Sequence, residues 1–121
     1  MLVLVDTSVW LTHWRSPLAE MSRLLQTQDL VTHSVVLGEL AVGNLRDRSR
    51  VLADLRLFLD AIECPPRDVL DFLENHRLFG LGLSWCDVQL LTAADFNAVP
   101  LWTLDKRLEQ AAQTLGLAWT P

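Results

Sequence analysis

Cysteines, long apolar runs and basic residues are all scarce in this sequence of 121 residues. The two cysteines, Cys64 and Cys86, are too few for a disulfide framework, so we expect a cytoplasmic protein in which both thiols stay reduced. No stretch approaches the roughly 18 uninterrupted apolar residues of a membrane span, and none is expected. The apolar start of the chain is cut short by Asp6 and follows no basic segment, so we expect no signal peptide.

Basic residues number ten against fifteen acidic residues, and the formal net charge is −5. A protein that holds nucleic acid through a general basic field needs the opposite balance, so this class is disfavoured. With 50% hydrophobic and 21% charged residues, the composition excludes a disordered tail, a collagenous repeat and a disulfide scaffold. A chain of this size buries roughly two thirds of its unfolded surface. We therefore expect a single domain over residues 1–121.

Short apolar runs alternate with segments of helical spacing along the chain. Strands are predicted at residues 2–5, 30–32, 61–64, 99–102 and 117–119. Helices are predicted to begin after the capping residues 6–8 and to cover 17–28, 35–44, 50–59, 68–79, 85–96 and 105–115, with Ser34 and Ser84 as further caps. This alternation is typical of an α/β domain with a mainly parallel sheet, in which binding sites form beyond the carboxyl ends of the strands.

Four acidic residues stand alone within long windows that carry no other acid. These four lone acids are Asp6, Glu39, Asp87 and Asp105. Lone carboxylates in apolar surroundings are expensive to bury unless they are paired or bind a metal. Two such charges about 4 Å apart cost on the order of 4 kcal/mol at an effective dielectric near 20. If the four meet, they require cations or partial protonation.

A site made of carboxylate oxygens favours hard divalent cations, so these residues predict Mg²⁺ or Mn²⁺. Zinc would prefer histidine and cysteine ligands, and the three histidines share no ligand spacing. Magnesium with open water positions is the usual apparatus of phosphodiester hydrolysis, because it lowers the pKa of a bound water, aligns the phosphate and stabilises the leaving oxygen.

Structural roles are the alternative explanation for three of the lone acids. Asp6 and Asp105 sit where N-caps are expected, and Asp87 follows Ser84 at a helix start, where a carboxylate pairs with the helix dipole. Glu39 is the hardest of the four to explain by a structural role, because its neighbours one helical turn away, Val35 and Gly43, are uncharged. Any one acid can be structural, but four together favour a shared site.

The segments around these acids resemble the PIN-domain family, in particular the VapC-type ribonuclease toxins of prokaryotic toxin–antitoxin pairs. The matching segments are VDTSVW at 5–10, VLGEL at 36–40, LSWCDV at 83–88 and LWTLDKRL at 101–108. Each segment alone is moderately specific. The ordered set covers nearly the whole chain and is a strong signal.

The resemblance implies a three-layer α/β/α sandwich with a small, mainly parallel sheet, in which the four lone acids form a metal site. It also implies an endoribonuclease that needs Mg²⁺ or Mn²⁺, forms homodimers and is neutralised by a cognate antitoxin. Thr7 and Thr103 are expected to orient the carboxylates, as metal sites require. The alternative function is a PIN-like module that binds RNA or a partner with little or no nuclease activity.

Nine of the ten basic residues are arginine, a side chain that fits phosphate geometry well. Those that could guide RNA toward the metals are Arg46, Arg48, Arg50, Lys106 and Arg107. The alternative for the first three is a solvated helix surface laced with acids. Two bound Mg²⁺ would bring the formal charge from −5 to about −1, so the bare-chain charge overstates the repulsion that RNA would meet.

Overall fold

A computed structural model describes the whole chain, Met1–Pro121, as one sheet with helices around it. The sheet contains four parallel strands in the order β3-β2-β1-β4: β1 (Val3–Val5), β2 (Leu30–Thr32), β3 (Leu59–Asp60) and β4 (Leu101–Trp102). The helices are α1 (Thr7–Arg15), α2 (Ala19–Thr27), α3 (Ser34–Val42), α4 (Arg48–Leu55), α5 (Pro66–Asn75), α6 (Trp85–Asn97) and α7 (Lys106–Thr114). The predicted α/β class and parallel sheet are confirmed.

The strand order explains the layers of the sandwich. β1 pairs with β2 on one side and with β4 on the other, and β2 pairs with β3. The chain moves from β1 through β2 to β3 in one direction and then returns across the sheet to β4. Because crossovers between parallel strands are right-handed, the helices of the first two crossovers, α1–α4, lie on one face, and those of the return crossover, α5 and α6, lie on the other.

The central strand, β1, is the most deeply buried segment. Val3, Leu4 and Val5 are all 0% exposed. A strand covered by helices on both faces needs apolar side chains at every position, which is why the sequence has a continuous apolar run there. The strand positions Asp6 directly after its carboxyl end.

Between residues 50 and 64 the predicted helix is present but ends earlier, and the predicted strand is misplaced. The helix ends at Leu55, and the edge strand lies at Leu59–Asp60, before the predicted strand at 61–64. Only Ala61 of the predicted strand extends the ladder, by donating to the Thr32 carbonyl at 2.8 Å. Leu59, inside the strand, and Ile62, beyond it, are 57% and 65% exposed at this sheet edge, so apolar character does not locate the strand here.

Two further boundaries differ from the prediction. α5 begins at Pro66 and ends at Asn75, rather than covering 68–79, because proline suits the first helical turn, where its missing N–H is not needed. The predicted strand at 117–119 is reduced to one parallel bridge between Leu101 and Ala118. The chain makes two backbone hydrogen bonds to Leu101 there and then leaves the sheet.

The cap of α3 also differs from the prediction. His33, rather than Ser34, is the N-cap, and its Nδ1 accepts a hydrogen bond from the Val35 N–H at 3.0 Å. The Ser34 hydroxyl instead donates to Glu63 Oε1 at 2.6 Å. Glu63 thereby ties the start of α3 to the loop after β3.

Both cysteines are free thiols. Burial raises the pKa of Cys64 and of Cys86, so both stay protonated and unreactive near neutral pH. The longest helix, α6, has 13 residues, and none of the helices combines the length and the apolar character needed to cross a bilayer.

Candidate functional site

The carboxyl ends of β1 and β4 bring Asp6 and Thr103 into direct contact. The two side chains are 6% and 5% exposed, and the Thr103 hydroxyl donates to Asp6 Oδ2 at 2.7 Å. The Asp6 N–H donates to the Trp102 carbonyl at 2.9 Å, which fixes the two strand ends against each other. No basic group pairs with this buried carboxylate, so hydroxyl donors alone compensate for its lost hydration.

Ser8 is a second donor to Asp6. Its hydroxyl donates to Asp6 Oδ2 at 2.7 Å and accepts from the Leu104 N–H at 3.0 Å. From the sequence, Ser8 was predicted only as a helix-capping residue; the signal for its actual role is a hydroxyl two positions after an acid at a strand end. Asp6 occupies the N-cap position of α1, but its side chain makes no capping hydrogen bond. Capping therefore does not explain the Asp6 carboxylate.

Asp105 is the N-cap of α7, as one alternative predicted. Its Oδ1 accepts hydrogen bonds from the N–H groups of Arg107 and Leu108 at 3.0 and 3.1 Å. The Asp105 N–H in turn donates to Thr103 Oγ1 at 3.0 Å. Thr103 thus connects Asp105 to Asp6 through one hydroxyl.

Asp87 forms a capping box with Ser84 at the start of α6. Asp87 Oδ2 accepts from the Ser84 N–H at 2.9 Å, and the Asp87 N–H donates to the Ser84 hydroxyl at 3.1 Å. Burial raises the pKa of the Asp87 carboxyl above its ordinary value, and the charges of Asp6 and Asp105 raise it further, whereas the bonds from Ser84 lower it. The three aspartates therefore lie within electrostatic reach of one another.

Glu39 joins the site from α3. The Thr7 hydroxyl donates to Glu39 Oε1 at 2.8 Å, across 32 positions of sequence. Burial raises the pKa of the Cys86 thiol, and the charges of Glu39 and Asp87 add to this effect. The Glu39 charge therefore acts on the first turn of α6, which carries Cys86 and Asp87.

Each lone acid uses one carboxylate oxygen in hydrogen bonds with the protein and leaves the other without one. The unused atoms are Oδ1 of Asp6, Oδ1 of Asp87, Oδ2 of Asp105 and Oε2 of Glu39. The donor chemistry fits Mg²⁺ or Mn²⁺. In this arrangement no three His, Cys, Asp or Glu side chains lie close enough together to enclose an ion. Without a cation between them, the carboxylates repel one another, and this repulsion opposes a closer arrangement.

The predicted basic residues divide into two groups. Arg50 lies 3.5 Å from Asp47 and 3.8 Å from Asp54, and Arg48 Nη1 donates to the Gly43 carbonyl at 3.2 Å. Arg46 and Arg50 line a surface groove of about 650 Å³ beside α1. These contacts are those of a solvated helix surface, and the role of Arg46, Arg48 and Arg50 in RNA binding stays a prediction.

Lys106 and Arg107 are exposed in the first turn of α7, directly after Asp105. Neither side chain forms an ion pair within the protein. Their charges remain available beside the acidic site.

Comparison of the whole sequence identifies the family. The chain is 36% identical over 118 residues to Ribonuclease VapC32 of Mycobacterium tuberculosis, in strains CDC 1551 / Oshkosh and ATCC 25618 / H37Rv. The alignment covers 97% of this chain and 95% of that protein. This chain belongs to the VapC-type ribonucleases of the PIN-domain family. The family assignment made from four sequence segments is confirmed. No protein-family model matches the VapC-type sequence described here.

Solved structures show the same fold as this VapC-type chain. PAE2754 from Pyrobaculum aerophilum superposes with a TM-score of 0.63 at 20% identity, covering 95% of this chain and 86% of that one. FitAcB from Neisseria gonorrhoeae gives a TM-score of 0.61 at 20% identity, covering 93% and 94%. FitAB bound to an IR36 DNA fragment gives 0.63 at 16% identity, covering 93% and 91%. These likenesses confirm the PIN-like sandwich.

Proposed function

We propose that this VapC-type protein is a Mg²⁺- or Mn²⁺-dependent endoribonuclease that hydrolyses RNA phosphodiester bonds at the site of the four lone acids. One observation carries the proposal. In a chain of this family, all four carboxylates keep one oxygen free of protein hydrogen bonds, and the charges of Asp6 and Asp105 act on Asp87. Capping alone accounts for one oxygen of Asp87 and of Asp105, and for none of Asp6 or Glu39.

The protein residues prepare the site by orienting these oxygens. Ser8 and Thr103 both bond Oδ2 of Asp6, which leaves Oδ1 as the free donor, and Thr7 does the same for Glu39 by bonding Oε1. Fixed carboxylates bind a cation without the entropy cost of ordering them. A divalent ion held there would lower the pKa of a water molecule and neutralise charge on the scissile phosphate.

Electrostatics makes RNA binding depend on this neutralisation. The bare chain has a net charge of −5, and four of its acids belong to the site proposed for RNA cleavage. Each divalent ion adds two positive charges, which reduces the repulsion that the phosphate meets. The expected activity is therefore lost on metal removal, both because the nucleophilic water is not activated and because RNA is repelled.

The test is cleavage of a fluorescently labelled single-stranded RNA in Mg²⁺ and in EDTA. The wild type should cleave only in Mg²⁺, and the cleavage rate of Asp6→Asn should be lower by about tenfold to a hundredfold or more. Asp95→Asn is the matched control, because Asp95 is an exposed aspartate on α6, two turns after Asp87. This variant should cleave RNA like the wild type. Equal rates for wild type and Asp6→Asn, or cleavage that survives EDTA, would contradict the proposal. Tight RNA binding without cleavage would favour the alternative of a PIN-like binding module.

The toxin role and its partners belong to the same proposal. Two of the similar folds are FitAB proteins, one of them bound to a DNA fragment, which supports an antitoxin partner for this chain. Expression without a cognate antitoxin should arrest growth, and Asp6→Asn should relieve the arrest. Sedimentation analysis should give the mass of a homodimer, twice 13.7 kDa. Harmless expression of folded wild-type protein would contradict the toxin role.

A further inference from the structure

A groove without acidic residues runs along α7, away from the four lone acids. It has a volume of about 360 Å³ and lies between α7 and the segment that follows α5. Its polar lining, which we call the basic groove, consists of His76, Arg77, Arg107, Gln110 and Thr114. The remaining lining residues are Leu78, Leu81, Ala111 and Leu115, so no aspartate or glutamate borders it. In a chain with fifteen acids and a net charge of −5, such a surface is unusual.

The two arginines of the basic groove have no partner within the protein. Neither Arg77 nor Arg107 forms an ion pair or donates a side-chain hydrogen bond, in contrast to Arg23 and Arg50, which pair with acids on their own helices. Both side chains are exposed. The guanidinium groups therefore keep all their donors for an outside anion.

The backbone at Arg77 is costly for an arginine. Its φ is +53°, in the left-handed region that favours glycine or asparagine. Helices commonly end on glycine in this conformation, and here an arginine occupies a position of that type just after α5. Gln28 and Ala98 have the same conformation just after α2 and α6, so helices of this chain commonly end in this way, and glycine can replace Arg77 without strain.

Arg107 is held in place by a glycine loop. A Cβ on Gly82 would lie 2.5 Å from Arg107 Nη1 and 3.0 Å from its Cδ, so the arginine packs directly against the Gly82 backbone. Arg107, Gln110 and Thr114 follow one face of α7, and Asp105 caps the same helix. The basic groove thus begins one turn from a lone acid and extends for about 10 Å along the helix.

We propose that the basic groove binds the sugar–phosphate backbone of single-stranded RNA beside the cleaved bond, with Arg77 and Arg107 contacting phosphates. This inference rests on the proposed ribonuclease function. RNA carries both kinds of group that this lining could bind. Its repeated phosphates can contact the unpaired arginines, and its hydroxyls can hydrogen-bond with Gln110 and Thr114. Arg107 was predicted from the sequence as a basic residue near RNA, whereas Arg77 and His76 were not.

The variants that test the groove are chosen to keep the fold. Arg77→Gly removes the charge and places glycine where φ is positive, so its thermal unfolding midpoint should equal or exceed that of the wild type. Arg107→Gln removes the second charge. Arg67→Gln is the control, because this exposed arginine is also unpaired but lies at the opposite end of α5.

Binding is measured by fluorescence anisotropy of labelled single-stranded RNA, in an Asp6→Asn background so that the RNA stays intact. Arg77→Gly and Arg107→Gln should each weaken binding by about fivefold. Each should also lower the slope of log affinity against log salt by about 0.7. In the cleavage-competent protein, KM should rise with kcat unchanged, because the contact is made equally in the ground state and the transition state. Arg67→Gln should leave all three quantities unchanged.

Three outcomes would overturn the proposal, and they are distinguishable. If wild type cleaves RNA and both groove variants match it in KM and salt slope, the groove is not an RNA site, and the ribonuclease proposal stands. If the variants lose affinity for a poly-glutamate peptide but not for RNA, the groove binds an acidic protein segment. If wild type neither binds nor cleaves RNA, the ribonuclease function itself is wrong.

Discussion

Replacing Thr103 by valine should destabilise the protein strongly, although the two side chains have nearly the same shape. Valine keeps the volume and the branching at Cβ and removes only the hydroxyl. That hydroxyl donates to the buried carboxylate of Asp6 at 2.7 Å and accepts from the Asp105 N–H at 3.0 Å. A hydrogen bond to a charged group contributes about 1.5–3 kcal/mol, and the part-buried Asp105 N–H left without its acceptor costs about 1 kcal/mol or less. We expect a loss of about 3 kcal/mol in the free energy of unfolding.

The assay is thermal and guanidinium unfolding followed by circular dichroism at neutral pH. The entropy of unfolding is about 2.1 cal/mol/K per residue, so for 121 residues a loss of about 3 kcal/mol lowers Tm by about 12 °C. Thr7→Val is the matched control, because it removes the same hydroxyl from a contact with Glu39 at the exposed rim, where the loss should stay below about 1 kcal/mol. Equal losses in the two variants would refute the view that Asp6 is a buried charge that depends on Thr103.

Two further predictions concern stability. Burial lowers the pKa of His33, and this effect outweighs the nearby charge of Glu63, which raises it. The unfolded chain therefore binds a proton at residue 33 more readily than the folded chain does. The free energy of unfolding should fall as pH decreases below about 6.5. His33→Asn keeps a capping acceptor and should flatten this part of a stability–pH curve; an unchanged slope would contradict the assignment. Gly82→Ala should lower the free energy of unfolding, measured with denaturant, by about 1–2 kcal/mol, because φ at Gly82 is +78° and the new Cβ meets Arg107. Gly38→Ala should raise it by about 1 kcal/mol, because Gly38 lies on a helix with open space around it. A stabilising Gly82→Ala would exclude the left-handed conformation.

The sequence was sufficient to predict the central sheet and the edge that carries the acids. β1, β2 and β4 are short apolar runs because helices cover both faces of the sheet, and this pattern can be read directly. Asp6 comes immediately after the first of these runs, and Asp105 comes three positions after the last. Since the carboxyl ends of parallel strands meet at one edge, their placement follows from topology alone.

The failures lie at the sheet edge and in the side-chain hydrogen bonds. Three apolar residues at this edge are exposed: Leu57 at 83%, Leu59 at 57% and Ile62 at 65%. Because apolar residues were assumed to be buried, the predicted helix was too long and the predicted strand was shifted. No local pattern reveals which apolar residues the tertiary structure leaves uncovered. The contacts of Thr103 with Asp6 and of Thr7 with Glu39 join positions 97 and 32 residues apart, and only the family resemblance pointed to these threonines.

Calorimetric titration of Mn²⁺ into the metal-free protein tests the central claim most directly, since the claim is that the four lone acids form a divalent-metal site. The wild type should bind the ion saturably, and Asp6→Asn should bind it at least about tenfold more weakly. At a free metal concentration about 100 times Kd, bound metal adds about 2.7 kcal/mol, which raises the Tm of this chain by about 11 °C. Asp95→Asn should match the wild type in both measurements. Absence of saturable heat and of any Tm shift in the wild type, or equal affinity in Asp6→Asn, would contradict the account.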